Sequence, residues 1–224
     1  MHGDRTYGDY ARLPQLLAQH APLSATHDEH LFIAAHQVHE LWFRQLLTEL
    51  ADARDRLLAG ELRTPADRLR RCTAITGALR GTLDVLDTMP PAAFAEFRGL
   101  LGESSGAQSA QFHEIEALCG RRGAGRVLGL DWPSAAERGR LERRLAEPSV
   151  WDGYLKVREL PGAGAVAEAL LGFDRGWGAW RDLHVTVAGR QIGAAAGTGG
   201  TSGVAHLRAR LGNRLFPELW GPEE

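Results

Sequence analysis

The sequence is short of cysteine, of lysine and of long apolar runs, and each shortage excludes a class of protein. Only two cysteines occur in 224 residues, Cys72 and Cys119. They are too few for a disulfide framework, so we expect two buried thiols. No apolar run approaches the roughly 20 residues that a membrane span requires. Lys156 is the only lysine, and the net charge of -2 provides no overall field that would attract nucleic acid or a membrane.

The start of the chain and its composition indicate a globular protein of the cytoplasm. Residues Met1 to Tyr10 contain no apolar stretch of the kind found in a signal peptide. Hydrophobic residues make up 44% and charged residues 24%, the balance of a soluble protein. Because 224 residues suit one ordinary domain, we expect residues 1–224 to form a single domain.

Helical periodicity dominates the chain, and no alternating strand pattern of useful length occurs. In the segment Asp28 to Leu58, apolar residues fall at steps of three and four and predict one buried stripe: Leu31, Ala35, Val38, Trp42, Leu46 and Leu50. The predicted further helices run from Thr64-Pro65 to Met89, through Phe94 to Leu101, from Gln108 to Cys119, from a Ser134/Glu137 capping box to Pro148, from Val166 to Ile192, and through Val204, Leu207 and Leu211. These segments predict an all-α helical bundle.

Three of the predicted helices place an aromatic residue four positions before a polar one. The pairs are Phe32 with His36, Phe94 with Arg98, and Trp180 with His184. Residues four apart are neighbours on a helix, so each pair offers an aromatic wall beside a polar group. A flat aromatic ligand with a carboxylate would suit them, with arginine pairing with the carboxylate. Such pairs also occur where an ordinary core meets a solvated edge, so the spacing alone leaves function open.

Two other patterns favour less specific interpretations. Four histidines crowd into 13 positions, namely His27, His30, His36 and His39. They lack the His-Glu-x-x-His spacing, and His36 and His39 point apart on a helix, which disfavours a zinc site. The glycine-rich stretch Gly197 to Gly203 has neither the preceding strand nor the lysine of a phosphate-binding loop. It is a flexible connection, or a lid in which Thr198 closes over a ligand.

The ordered set of motifs resembles the tryptophan 2,3-dioxygenase family. The motifs are Tyr7-Gly8-Asp9-Tyr10, Asp28 to Trp42, Met89-Pro90, Phe97-Arg98, Ser105-Gly106-Ala107-Gln108-Ser109, Trp180-Arg181-Asp182-Leu183-His184, Gly197 to Gly203, and Phe216-Pro217-Glu218-Leu219-Trp220. The resemblance covers residues from about 7 to 118 and from 165 to 220. Any one motif would be weak, but all of them in the family's order form a specific signal.

The resemblance implies a helical homotetramer that binds haem b without a covalent Cys-x-x-Cys-His attachment. His184 would be the proximal iron ligand, with Trp180 and Ser105 also in the haem pocket. The implied substrate-binding residues are Phe32 and Phe94 beside the indole, His36 near its ring N–H, Arg98 on the carboxylate, Thr198 on the amino acid head group, and Tyr7 and Tyr10. The two tyrosines belong to an N-terminal arm, residues 1–20, that would reach into a neighbouring subunit.

The implied reaction inserts both atoms of dioxygen across the indole C2–C3 bond of L-tryptophan or a substituted tryptophan and gives an N-formylkynurenine. The chain departs from the family pattern in a shorter stretch between Gly120 and Ala165 and in Ala107 in place of phenylalanine. Further departures are Ala11 in place of leucine, His113 in place of arginine, and the lack of a polar residue in Ala194-Ala195-Ala196. A wider pocket leaves open a haem mono-oxygenase that acts on a modified indole, for example forming a 2-oxindole. A haem-binding protein without catalysis is the third alternative.

Overall fold

Helices make up the architecture of this computed structural model, which describes residues 5–121, 123–129, 132, 134–198 and 201–221. The α-helices, in chain order, are α1 Tyr7–Ala11, α2 Leu13–Leu17, α3 His27–Leu58, α4 Arg63–Leu86, α5 Pro91–Arg98, α6 Ala110–Cys119, α7 Ala135–Ala146, α8 Val150–Val157, α9 Gly164–Ile192 and α10 Val204–Arg208. Short 3-10 turns lie at Gly99–Leu101, Gly106–Gln108, Ala124–Gly129 and Pro217–Leu219. No strand occurs in the described ranges, so the predicted all-α fold is confirmed.

The centre of the bundle is formed by the three long helices α3, α4 and α9, which share one hydrophobic core. Helices α4 and α9 approach each other very closely at Gly176, where an added Cβ would come within 2.2 Å of Thr76 Oγ1. Such close approach requires a residue without a side chain. This contact fixes the position of α9 along its axis relative to α4. Helix α9 carries Trp180 and His184.

The buried stripe of α3 differs from the predicted one. Leu46 and Leu50 are buried as expected, but Trp42 is 36% exposed. In that part of the helix the buried residues are instead His39 and Phe43, each one position after a predicted one. The difference arises because α3 packs against helices on more than one side, and the shift of one position brings a histidine into the core.

Capping side chains mark the N-termini of helices α6 and α7. Helix α6 begins after Ser109, whose hydroxyl accepts the Phe112 N–H at 3.2 Å, so the predicted start at Gln108 was two residues early. Ser134 caps α7 through the Glu137 N–H, but the Glu137 carboxylate contacts the Ser134 hydroxyl rather than its backbone, so the predicted box is half formed. Helix α4 begins at Arg63, one residue before the predicted start at Thr64-Pro65. The last helix ends at Arg208, before the predicted Leu211.

Helix α8 was not predicted, and it packs on the far end of α3. A Cβ on Gly153 would come within 2.9 Å of Leu57 Cβ, and Lys156 Nζ donates a hydrogen bond to Leu58 O at 2.5 Å. The N-terminus of α8 carries a full capping box formed by Ser149 and Asp152. That local signal was present in the sequence and is sufficient to start a short helix.

The end of the described chain is held against α9 by one buried carboxylate. Asp174 accepts hydrogen bonds from the backbone N–H groups of Leu215 and Phe216, each at 3.0 Å, and from the indole N–H of Trp220 at 2.9 Å. We call this arrangement the C-terminal clip. It attaches the segment that follows the glycine-rich loop and α10 to helix α9. Among the helices that the structure describes, none is long and apolar enough to cross a membrane.

Candidate active site

His184 lies on α9 one turn after Trp180, and the two rings stack. Their centroids are 5.9 Å apart and their planes differ by 21°. Burial, together with the proximity of His36 and His39, lowers the pKa of His184 to about 4. The imidazole is therefore neutral near pH 7. No hydrogen bond to its ring nitrogens is formed by the residues that the structure describes, so a lone pair is available to a metal ion.

His39 supports the other side of Trp180. The Trp180 indole N–H donates to His39 Nε2 at 3.2 Å, and His39 Nδ1–H donates to Ala35 O at 2.7 Å. Burial lowers the pKa of His39, so this ring is also neutral. Both of its nitrogens are occupied, and the zinc interpretation fails for it. The described part of the chain contains no group of three or more potential metal ligands among its histidines, cysteines and carboxylates.

His36 is an exposed residue of α3 whose ring lies beside Phe32. Desolvation by the surrounding protein lowers the pKa of His36. His36 Nδ1–H donates to Phe32 O at 2.7 Å, which leaves Nε2 as an acceptor. The predicted placement on one face with Phe32 is present, since their ring centroids are 4.2 Å apart.

An aromatic wall joins α3 to α5 beside His36. Phe32 stacks on Phe94 at 5.4 Å between centroids, and Phe97 meets both rings edge to face. Phe94 and Phe97 are buried. The sequence analysis identified Phe32 and Phe94 as site residues but did not assign Phe97, although its position three residues after Phe94 places it near the same helix face. The wall provides a flat apolar surface suited to an aromatic ring.

Arg98 and Thr198 line one cavity of about 360 Å³, together with Ala95, Gly99 and Gly102. Arg98 Nη2 donates to Ala196 O at 2.5 Å, and the Thr198 hydroxyl donates to Ser104 O. The glycine-rich loop is thus hydrogen-bonded to the end of α5 and the turn that follows it. Arg98 Nε is buried and has no partner among the described residues. Gly199 and Gly200 of the predicted loop lie outside the described residues.

Ser105 and the two N-terminal tyrosines are the remaining predicted site residues. Ser105 is half buried and caps the turn Gly106–Gln108, where its hydroxyl accepts the Ala107 N–H at 3.3 Å. Within the described ranges no hydrogen bond joins it to His36. Tyr7 and Tyr10 lie on α1 with 78% and 76% of their surface exposed. Neither ring contacts the pocket of its own chain in the part that the structure describes.

A buried aromatic cluster lies beneath the stacked pair Trp180 and His184. Trp177 packs 4.9 Å from Trp180, while Phe43 meets the edge of Trp180 at 5.5 Å and Phe112 stacks on Trp177 at 5.4 Å. The sequence analysis did not assign these residues to the site. They come from three different helices, so no local spacing could have grouped them. The cluster is the rigid base on which Trp180 rests.

Comparison with known proteins gives consistent matches. The sequence profile of the family described as tryptophan 2,3-dioxygenase matches residues 1–130 and 159–223. A protein named tryptophan 2,3-dioxygenase from Nocardioides sp. is 40% identical over 96% of this chain and 92% of its own length. Those from Anaeromyxobacter sp. and Herpetosiphon aurantiacus are 36% and 34% identical over 96% of this chain, and over 94% and 96% of their own lengths. The unmatched segment falls within the stretch that the sequence analysis identified as shortened.

Proposed function

This chain belongs to the tryptophan 2,3-dioxygenase family and is an enzyme of that kind, and from this premise we propose that it opens the indole ring of L-tryptophan or a substituted tryptophan. Two oxygen atoms from dioxygen enter across the C2–C3 bond, and the product is an N-formylkynurenine. The observation that supports the proposal most is that His36 contacts the ring of Phe32 and lies close enough to lower the pKa of His184, whose ring is neutral and has no hydrogen-bond partner among the described residues.

The family is haem-dependent, and we propose haem b bound non-covalently with His184 as the iron ligand. The residues fit this group, because a neutral imidazole with a free nitrogen is a normal axial ligand. Trp180, which stacks on His184, and Ser105 would line the haem pocket. When bound, the haem supplies the activation of dioxygen, and the protein orients the substrate and excludes water.

In the proposed substrate site, the stacked rings of Phe32 and Phe94 would form the wall against which the indole ring packs. His36 Nε2, an acceptor in the tautomer fixed by Phe32 O, receives the indole N–H. Arg98 pairs with the carboxylate, which would satisfy its unpartnered Nε and replace the contact with Ala196 O. Thr198 contacts the amino acid head group from the loop. His36 here positions the ring and need not remove a proton.

We propose that residues 1–224 form one haem domain that assembles as a cytoplasmic homotetramer. Tyr7 and Tyr10 in the arm, residues 1–20, would complete the pocket of a neighbouring subunit. This proposal is supported by the high exposure of the two large aromatic rings, which are not buried against the described part of their own chain. Light scattering at several concentrations tests the assembly, and a monomer with full activity would contradict it.

The mono-oxygenase and non-catalytic alternatives are not favoured. The matched relatives are named as tryptophan dioxygenases and align along nearly the whole chain. The retained Arg98 and Thr198 also argue against a protein that binds haem alone, because haem binding does not require a carboxylate clamp. Product analysis separates these functions directly.

The decisive experiment is mass spectrometry of the product formed from L-tryptophan by the reduced, haem-loaded protein under labelled dioxygen. Two labelled atoms in one product are expected, whereas a single labelled atom would refute dioxygenation. A His184→Ala variant should lose the Soret absorption of bound haem. An Arg98→Ala variant should weaken substrate binding by about 2 kcal/mol, or about thirtyfold in KM. The matched control is Arg80→Ala, which removes an exposed arginine on α4 and should leave KM unchanged.

A further inference from the structure

We propose that His39 is a positioning residue for the haem ligand: by holding the indole of Trp180, it sets the plane of the His184 imidazole. The inference rests on the proposed role of His184 as the iron ligand. His39 was considered above only as a candidate zinc ligand. Its hydrogen bond to Trp180 and the ring stack of Trp180 on His184 connect it to the haem side of the site.

Two hydrogen bonds lock His39 in one neutral tautomer. Its Nδ1–H is committed to Ala35 O at 2.7 Å, within its own helix, so Nε2 is a fixed acceptor. The ring is 9% exposed and meets Phe43 edge to face. Rotation of the His39 ring would break its hydrogen bonds in a buried environment, so the ring keeps this orientation.

The acceptor Nε2 of His39 fixes the orientation of the Trp180 indole. The indole N–H donates to His39 Nε2 at 3.2 Å, and Trp180 is 6% exposed, so a rotated indole would bury an unpaired donor. Phe43 and Trp177 pack against the remaining edges of the indole. The Trp180 ring therefore has one orientation, and this orientation is specified by a residue on another helix.

The ring of His184 is oriented by its stack on Trp180. Histidines that bind metals usually donate their second ring N–H to a carboxylate, a carbonyl or water, and this partner fixes the ring. Over the described ranges of the chain, no side chain or backbone group forms such a bond with His184. The stack on Trp180, with planes 21° apart, is the contact that defines its ring plane. His39 thus supplies, through Trp180, the orientation that a direct partner supplies elsewhere.

Resonance Raman spectroscopy of the reduced, haem-loaded protein tests this proposal, because the iron–histidine stretching band reports the orientation of the axial ligand. His39→Phe keeps an aromatic ring but removes the acceptor. It should broaden or split the band and release haem about tenfold faster. His39→Gln, which restores an acceptor, should recover a single band. In steady-state assays His39→Phe should lower kcat and leave KM for tryptophan unchanged, since it does not touch the substrate.

Trp180→Phe breaks the same hydrogen bond from the other side and keeps a ring against His184, so the test does not depend on whether His39→Phe folds. It should reproduce the spectral change, and adding His39→Phe to it should change nothing further. An unchanged band in His39→Phe, or an additional effect of His39→Phe in the Trp180→Phe background, would overturn the proposal. An iron–histidine band that survives in His184→Ala would instead refute the proposed haem ligand, independently of His39.

Discussion

The close approach of α4 and α9 leads to a sharp stability prediction for Gly176→Ala. The added Cβ would lie 2.2 Å from Thr76 Oγ1, whereas ordinary contacts begin at 3.4 Å, so the atoms would overlap by about 1.2 Å. Thr76 is β-branched, and its hydroxyl is bonded to Thr73 O at 2.7 Å, so it cannot rotate away freely. Overpacking of this kind costs about 1–3 kcal/mol, partly offset by about 1 kcal/mol of helix propensity.

The expected net loss is about 0–2 kcal/mol, which lowers the melting temperature by up to about 8 °C in a chain of this size. Thermal unfolding of the haem-loaded variants at one protein concentration measures it. Gly178→Ala is the matched control, because that glycine lies on the same helix with nothing within 4 Å of the new Cβ. It should stabilise the protein by up to about 1 kcal/mol. If Gly176→Ala is as stable as Gly178→Ala, the inferred packing of α9 is wrong.

Three further predictions concern other parts of the molecule. Asp174→Ala removes the acceptor of all three donors in the C-terminal clip, at about 1 kcal/mol or more each, so the melting temperature should fall by roughly 6–12 °C; a fall of less than 2 °C would contradict the buried clip. Burial raises the pKa of both the Cys72 and Cys119 thiols, so a thiol reagent should modify neither in the native protein and both after unfolding, as mass spectrometry would detect. Ala107→Phe should narrow the proposed pocket and lower kcat/KM for ring-substituted tryptophans at least tenfold more than for tryptophan, and equal losses for both substrates would argue that position 107 does not face the ring.

Much of the fold could be predicted from the sequence because its long helices carry strong periodicity. Predicted Asp28 to Leu58 and observed His27–Leu58 differ by one residue, and predicted Val166 to Ile192 begins two residues late. Periodicity was less informative about which face is buried. A helix with neighbours on several sides has a broad apolar surface, and Trp42 was assigned to the core in place of Phe43. Helix α8 was missed because eight residues give too few turns for a clear period.

The candidate site was predictable only where its residues are close in sequence. Helical spacing pairs Phe32 with His36 and Trp180 with His184, and both ring contacts are present. The sequence cannot reveal that His39 reaches Trp180, since 141 positions separate them and only packing of α3 on α9 brings them together. The contact of the loop with Arg98 has the same origin. Placement of substrate and haem on these residues stays a prediction.

Helix α3 also separates the segment that the family profile leaves unmatched from the part of the molecule where chemistry is proposed. His36 and Leu57 are 21 positions apart on one continuous helix, a distance of about 30 Å at 1.5 Å per residue. Helix α8 docks on the last turns of α3, in the segment that the family profile leaves unmatched. Substitutions at this end of the bundle are therefore made far from the proposed pocket, so a change in α8 should alter stability without altering the residues proposed to hold the substrate.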